Sequence, residues 1–203
     1  MTSKMWKVEY LALEMNLLYI FNYLFYYYGR YFKEIFMKMV PDGKATLIMK
    51  QKTPEEIEIL RTQQQNTLAA TGSHLSFDLY SGVTIKVSFD GNNEVRDISQ
   101  LSGGQKSLVA LTLIFAIQKC DPAPFYVFDE IDAALDPNYR KQVAMIIDDL
   151  SENTQFISTT FRRELLESGD MFHGVQYKNK VSGIQTITQQ QAMEFVEDDA
   201  VYG

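Results

Sequence analysis

One run of the sequence, residues 101 to 137, restricts the class of fold more tightly than any other part. It begins with LSGGQKS, in which two glycines precede a long apolar helical pattern, and it continues to a short apolar strand pattern that ends in Asp129-Glu130. Asp136-Pro137 follows, an N-cap with proline at the first helical position. A glycine turn, a buried helix, a buried strand and a new helix in this order predict an α/β domain.

The remaining sequence continues the alternation of helices and strands. The first helix should run to about Met39 and stop at Val40-Pro41. The polar stretch 51–74, with one or two helical turns at 55–61, indicates a flexible insertion. We expect strands at 45–50, 83–89, 124–128, 156–159, 174–178 and 180–187, a turn at 90–93, and further helices at 105–119, 137–150, 163–167 and from 189 onward. The helix at 105–119 is apolar almost all round, which predicts burial between layers. The expected fold is α/β, with a mostly parallel sheet flanked by helices.

Composition excludes several classes of function. A net charge of −7 argues against an autonomous nucleic-acid binder with a basic surface, although partner subunits can supply one. The single cysteine, Cys120, excludes an internal disulfide and suits a reducing compartment. No His or Cys cluster surrounds it, which favours a structural thiol over a reactive one. His74 and His173 lie far apart in the sequence, so a zinc site is not expected.

The N-terminal segment 1–28 differs from the rest of the chain. Residues 15–29 carry no charge, and aromatic residues are dense up to residue 32. This uncharged stretch is shorter than the roughly 20 residues of a membrane-spanning helix, and no small-residue cleavage site follows it. We therefore expect no membrane partner, and interpret the segment as a hydrophobic helix covered by a partner or as an altered start.

Two features carry chemistry. A Ser-Gly-Gly turn at a helix start presents backbone N–H groups and a hydroxyl to an anionic oxygen, although the same turn also occurs without a ligand. Asp129 and Glu130 end a strand at the edge where α/β sheets bind ligands. Two carboxylates there can divide the work, one supporting Mg²⁺ and the other orienting water, although acidic residues also end strands that have no site.

The order of these motifs resembles a known family. LSGGQKS, FYVFDE and ALD look like the signature loop, Walker B strand and D-loop of an ABC-type ATPase. The run from LSGGQKS to LDPNYR resembles the C-terminal lobe of a structural maintenance of chromosomes (SMC) head, most closely the cohesin subunit that binds the N-terminal region of the kleisin. GRYFKEIFMKMVPDGKATLIM, YSGVTIKVSF and QFISTTFRRELLESGDMFHGVQYKNKVS fit the same family. The resemblance covers about residues 29–198, is weakest across 51–74, and leaves 199–203 as a tail.

The resemblance implies a role for each residue of the signature loop. Ser102, Gly103 and Gly104 would contact the γ-phosphate of an ATP held by an opposing head. Gln105 opens the helix that follows and belongs to the same nucleotide-binding group. Lys106 would add positive charge there, or would simply be solvated.

The resemblance also implies roles for the acidic residues. Asp129 would support Mg²⁺ through water, and Glu130 would position the attacking water. Asp136 would touch the partner head across the nucleotide, while it serves equally well as a helix N-cap. Transporter-type ABC ATPases place a histidine after the strand at 156–159. Here the run is Ser-Thr-Thr-Phe, which favours the SMC branch and makes Thr160 the candidate γ-phosphate sensor.

A Walker A loop, G-x-x-x-x-G-K-[ST], is absent from the sequence. In an SMC protein this loop lies in an N-terminal lobe, so the chain is expected to be the C-terminal lobe and to be inactive alone. Its expected partners are its own N-terminal lobe, a second SMC head, the kleisin, and DNA through the assembled complex. Four basic residues are candidates for the DNA contacts, and they are equally well explained as ordinary solvated surface residues: Arg140, Lys141, Arg162 and Arg163.

The function implied by the resemblance is ATP-dependent head engagement in sister-chromatid cohesion and chromosome organisation, on chromosomes in the nucleus. Two alternatives stay open. One is a truncated, non-enzymatic lobe that acts as a protein-interaction surface. The other is the nucleotide-binding subunit of a membrane transporter, which the hydrophobic start supports and the missing histidine opposes.

Overall fold

The computed structural model describes residues 2–65, 79–91 and 94–202. The chain divides into two compact units, with the boundary between Gln100 and Leu101. All the motifs discussed above that carry chemistry belong to the second unit.

The first unit combines a long helix with an antiparallel sheet. Its elements are α1 (Thr2–Met39), β1 (Lys44–Gln51), α2 (Pro54–Gln65), β2 (Tyr80–Ser88) and β3 (Arg96–Asp97), followed by a 3-10 turn at Ile98–Gln100. Strand β2 lies between β1 and β3, and its register with β1 places Lys44 opposite Ser88. Helix α1 contacts β1. The buried apolar residues of this unit are Phe32, Ile35, Phe36, Met39, Val40, Ala45 and Val87.

The turn between α1 and β1 requires a glycine. A Cβ on Gly43 would lie 2.6 Å from Cε1 of Phe36 and 2.8 Å from Cγ1 of Val40. Since Phe36 is fully buried, it has no room to move away. The end of α1 at Met39 agrees with the expected stop before Pro41.

The second unit contains the glycine turn and the acidic strand end. Its elements are α3 (Gly103–Cys120), β4 (Phe125–Asp129), α4 (Pro137–Ser151), β5 (Gln155–Thr159), α5 (Arg163–Leu166), β6 (Phe172–Lys178), β7 (Val181–Ile187) and α6 (Gln189–Tyr202). Strands β4 and β5 are parallel, joined through α4, and their register runs from Phe125 opposite Gln155 to Asp129 opposite Thr159. Strands β6 and β7 form an antiparallel hairpin.

Aromatic rings fill the space between α3 and the parallel pair. Phe115 is fully buried and meets Phe128 edge to face, with ring centroids 5.9 Å apart. Phe156 lies 5.7 Å from both Phe128 and Tyr126. Because side chains alternate across a strand, these strand residues share one face, and the residues between them point to the other.

The α/β class and most predicted elements are confirmed, but the expected mostly parallel sheet is wrong for the described residues. They form three sheets, and β4–β5 is the parallel one. The turn at Asn179 and Lys180, both with positive φ, folds β6 directly back onto β7, which forces antiparallel pairing. Periodicity indicates that a segment is a strand, but it carries little information about which strand pairs with it and in which direction.

Two other expectations change in detail. The 51–74 segment contains a helix, α2, longer than the turns expected at 55–61, and Thr53 caps it: the Thr53 N–H donates to Glu56 Oε2 at 2.8 Å and the Glu56 N–H to Thr53 Oγ1 at 3.3 Å. Residues 66–74 of that segment and 92–93 of the expected turn lie outside the described residues.

Helix α3 is buried on one side only, since Ile114 and Ile117 are 39% and 43% exposed.

Adjacent residues of α3 test this one-sided burial. We expect Phe115→Ala to lower the free energy of unfolding by about 3–5 kcal/mol, because it leaves a cavity against Phe128. Ile114→Ala, on the exposed side, should cost less than about 1 kcal/mol. Urea denaturation of the two variants measures both values, and equal losses would contradict the packing described for α3.

Candidate functional site

The start of α3 is fixed by a capping box. Ser102 is the N-cap, with φ −65° and ψ 166°, and its Oγ accepts the Gln105 N–H at 3.3 Å. The Gln105 side chain returns the bond, accepting the Ser102 N–H at 3.1 Å. The S-x-x-Q spacing is the signal that would have revealed this in the sequence. Gln105 therefore holds the loop in shape, and the N–H groups of Gly103 and Gly104 belong to the first turn, whose donors have no partner within the helix.

The two glycines face different surroundings. A Cβ on Gly104 would lie 2.8 Å from the backbone carbonyl oxygen of Ala134. A Cβ on Gly103 would meet nothing within 4 Å. Gly104 thus allows the helix start to approach the loop after β4, while Gly103 is open on the outer side of the turn.

Asp136 begins the next helix beside this turn. Its Oδ1 accepts the N–H groups of Asn138 at 3.0 Å and Tyr139 at 3.1 Å, and Pro137 takes the first helical position. This confirms its predicted capping role. Burial raises the pKa of the Tyr139 phenol, and the Asp136 carboxylate adds to the effect, so this hydroxyl stays protonated at neutral pH.

A cavity of about 300 Å³ joins the two helix starts. It is lined by residues from the glycine turn and from the loop leading into α4: Ser102, Gly104, Gln105, Ala134, Leu135, Asp136 and Tyr139. Four residues predicted from the sequence for nucleotide contact therefore share one concave surface, and Gly103 lies next to it in the chain. Two N-terminal helix ends point their partial positive charge toward this region, which favours an anionic ligand.

The acidic strand end is organised by a threonine on β5. Thr159 Oγ1 donates to Asp129 Oδ1 at 2.6 Å. The Glu130 N–H donates to both the carbonyl and the hydroxyl oxygen of Thr159, at 3.1 and 3.2 Å. Glu130 has φ 47°, a left-handed conformation that non-glycine residues seldom adopt. Sequence reasoning missed Thr159, whose position opposite Asp129 depends on strand register.

Thr160, the residue predicted as a phosphate sensor, has its hydroxyl directed elsewhere. Its Oγ1 donates to Asp132 Oδ2 at 2.5 Å and accepts the Arg162 N–H at 2.9 Å. Asp132 is 1% exposed, so the bond satisfies a buried carboxylate. This contact joins the loops that follow β4 and β5, and no pattern in the sequence indicates the role of Asp132.

The carboxylates fit a Mg²⁺ site that is completed by other ligands. Among the described residues there is no group of three or more His, Cys, Asp or Glu side chains able to hold a metal. Mg²⁺ at nucleotide sites is held by one or two carboxylates together with phosphate oxygens and water. Asp129 suits that part, since the bond from Thr159 is to Oδ1 and its side chain is exposed.

Two further polar residues named from the sequence, Cys120 and Arg140, are explained without a ligand. Partial burial raises the pKa of the Cys120 thiol, and Asp121 raises it further, which keeps the sulfur protonated and unreactive. Arg140 pairs with Glu164 at 3.0 Å, with side chains only 13% and 14% exposed, so it joins α4 to α5.

In the part of the chain that the structure describes, no helix has the length and apolar character needed to cross a membrane.

Comparison with known proteins gives the family. Residues 29–183 match the family described as RecF/RecN/SMC N terminal domain. The chain is 49% identical over 175 residues to structural maintenance of chromosomes protein 3 of Caenorhabditis elegans, a match that covers 85% of this chain and 13% of that protein. The chain thus spans about one eighth of the length of this relative.

Two solved structures share the fold. One, from work on ATP-driven dimerization and DNA-stimulated activation of SMC ATPases, is 34% identical with a TM-score of 0.69, and the match covers 89% of this chain and 96% of that one. The other, an Smc head bound to the C-terminal winged-helix domain of ScpA, is 36% identical with a TM-score of 0.64, over 84% of this chain and 45% of that one. With the sequence match over residues 29–183, these likenesses show that the chain belongs to the SMC family and has the fold of an SMC ATPase head.

Proposed function

We propose that this chain is the C-terminal lobe of a cohesin-type SMC head and supplies its signature loop, Walker B strand and D-loop. The observation that carries the proposal is the cavity that joins Ser102 and Gly104 to Asp136. These motifs lie in three segments separated in sequence; the first and third would face the opposing head and its nucleotide, and here they line a single concave surface. The second, Asp129-Glu130, lies at the carboxyl end of the adjoining parallel strand pair.

The glycine turn would bind the γ-phosphate of an ATP held by a second head. Ser102 Oγ accepts from Gln105 inside the capping box, and its own proton is free to be donated to a phosphate oxygen. The N–H groups of Gly103 and Gly104 stand at the positive end of α3. Such fixed donors stabilise the negative charge that develops during phosphoryl transfer without reorganising.

The acidic strand end would carry out the hydrolytic part. Mg²⁺, when bound with the nucleotide, neutralises phosphate charge, and Asp129 would hold the water shell on its protein side. Glu130 would orient the attacking water and accept its proton. Asp136 would contact the opposing head through Oδ2, since Oδ1 already caps α4.

The partners of this lobe follow from its incomplete set of motifs. It would pair with an N-terminal lobe that carries the Walker A loop and, through ATP, with a second SMC head. The family relatives include a head bound to ScpA, which supports a kleisin-type subunit as a further partner. In this proposal the assembled complex contacts DNA and acts in sister-chromatid cohesion on nuclear chromosomes.

A second function, a lobe that serves only as a protein-interaction surface, is favoured by one observation. The outward face of β4–β5 exposes large apolar side chains: Phe125 at 55%, Val127 at 63% and Ile157 at 49%. An exposed apolar surface of this kind indicates a protein contact. Binding of an N-terminal lobe without any resulting hydrolysis would support this function over the first.

Hydrolysis should require assembly. We expect the chain alone to show no ATP turnover above background, because no Walker A loop is present in its sequence to hold the nucleotide. Mixed with a separately produced SMC N-terminal lobe and a partner head, it should hydrolyse ATP. Glu130→Gln should reduce that activity by about 10²-fold or more, since the amide cannot accept the proton of water. Release of phosphate measures both steps, and Glu130-dependent turnover by the isolated chain would contradict the proposal.

Alanine substitutions at the two glycines should have different effects, one on folding and the other on nucleotide contact. Gly104→Ala should lower the melting temperature, because its Cβ would lie 2.8 Å from the Ala134 carbonyl. Gly103→Ala should leave the melting temperature unchanged or slightly raised, because the site is open and alanine favours the helix. It should nevertheless reduce ATP-dependent association of the assembled heads by about 10-fold or more, since the methyl group occupies the proposed phosphate side of the turn.

Gly183→Ala on β7 is the matched control, since a Cβ there also meets nothing within 4 Å. It should associate like the unaltered protein. Light scattering with and without ATP gives the association, and scanning calorimetry gives the melting temperature. Normal association of Gly103→Ala would show that the glycine turn does not face the nucleotide.

A further inference from the structure

The side chain of Thr159 contacts both acidic residues of the strand end. The parallel register places it directly opposite Asp129. Because paired residues in a sheet share a face, its hydroxyl meets the Asp129 carboxylate, while Ser158 lies on the other face with Phe128. The 2.6 Å bond to Oδ1 is the short distance of a charge-assisted hydrogen bond.

The bonding capacity of the hydroxyl fixes its direction. A threonine hydroxyl has one proton to donate, and here that proton is directed to Asp129 Oδ1. Its lone pairs then face the Glu130 N–H, which donates to Oγ1 at 3.2 Å and to the Thr159 carbonyl at 3.1 Å. Glu130, whose N–H makes these two bonds, has a left-handed backbone conformation with φ 47°. One hydroxyl thus orients the first carboxylate and supports the backbone of the second.

We infer that Thr159 is a positioning residue for hydrolysis: its hydroxyl holds Asp129 in one rotamer and anchors the strained backbone of Glu130. The inference rests on the proposed function, in which these two side chains support Mg²⁺ and orient water. It differs from the role expected of Thr160, because Thr159 would act through Asp129 and Glu130 and not through a contact of its own with the phosphate. A misplacement of a catalytic group by about 1 Å can cost 10²-fold in rate, so such a support can decide the turnover.

The first measurement uses the 203-residue chain alone and needs no activity. Three-bond couplings across χ1 of Asp129, measured by NMR, should show one rotamer in the unaltered chain and in Thr159→Ser. Thr159→Val, which keeps the shape and loses the hydroxyl, should show averaging among rotamers. Amide exchange of Glu130 should be several-fold faster in the same variant. Thr159→Ala serves as a second hydroxyl-free variant if the valine chain does not fold.

The second measurement uses the assembled heads. Thr159→Val should lower kcat about 10- to 100-fold, leave KM for ATP within about 3-fold, and raise the Mg²⁺ concentration needed for half-maximal rate. Thr159→Ser should restore kcat to within about 3-fold of the unaltered protein. Thr186→Val on β7 is the matched control, an exposed threonine away from both carboxylates, and should change neither rate nor Asp129 couplings.

The outcomes separate the inference from the function it rests on. An assembled complex that does not hydrolyse ATP even when unaltered would overturn the proposed function, whatever the couplings of Asp129. An active complex in which Thr159→Val keeps full kcat, or a Thr159→Val chain in which Asp129 stays in one rotamer, would overturn the positioning role. A lower kcat that Thr159→Ser does not restore would also overturn it, since the serine keeps the hydroxyl.

Discussion

The parallel ladder between β4 and β5 is the constraint on which the second unit depends. It sets Tyr126 opposite Phe156 on one face, against Phe115 of α3, and Asp129 opposite Thr159 on the other. A slip of one residue would turn the aromatic rings outward and the carboxylate toward the core, at a large cost in desolvation. The packing of the core therefore holds the acidic strand end in register, and the geometry of the candidate site follows from hydrophobic burial.

At both helix starts, the residue that caps the helix is also one proposed to bind the ligand. Ser102 Oγ and Asp136 Oδ1 satisfy backbone donors of α3 and α4, and each side chain keeps a further polar group for a ligand: the Ser102 proton and Asp136 Oδ2. Gly104 allows the two starts to come within contact because its missing side chain leaves room for the Ala134 carbonyl. The capping role of these residues is compatible with their proposed binding role, because the caps fix the positions of the groups that would bind.

Local features of the structure were predictable from the sequence, and pairings between distant residues were not. The capping of α4 by Asp136 and the end of α1 at Met39 follow from interactions within a few residues, which periodicity and cap signals report. The antiparallel β6–β7 pair and the roles of Thr159 and Asp132 depend on which segments become neighbours. The choice between Thr159 and Thr160 shows the limit, because only the register with β4 decides which hydroxyl faces Asp129.

The left-handed turn at Glu130 gives the clearest link between strain and chemistry. A φ of 47° costs a non-glycine residue about 1–3 kcal/mol, and glycine or asparagine would adopt it more readily. Neither brings a carboxylate, and a continued extended strand would send the side chain of residue 130 to the opposite face from Asp129. Because the backbone turns at Glu130, the chain leaves the strand direction directly after Asp129, and the Glu130 side chain takes a new direction. The two hydrogen bonds from the Glu130 N–H to Thr159 offset part of the strain. Two adjacent acidic residues can therefore take different tasks because the backbone between them is bent and held from the neighbouring strand.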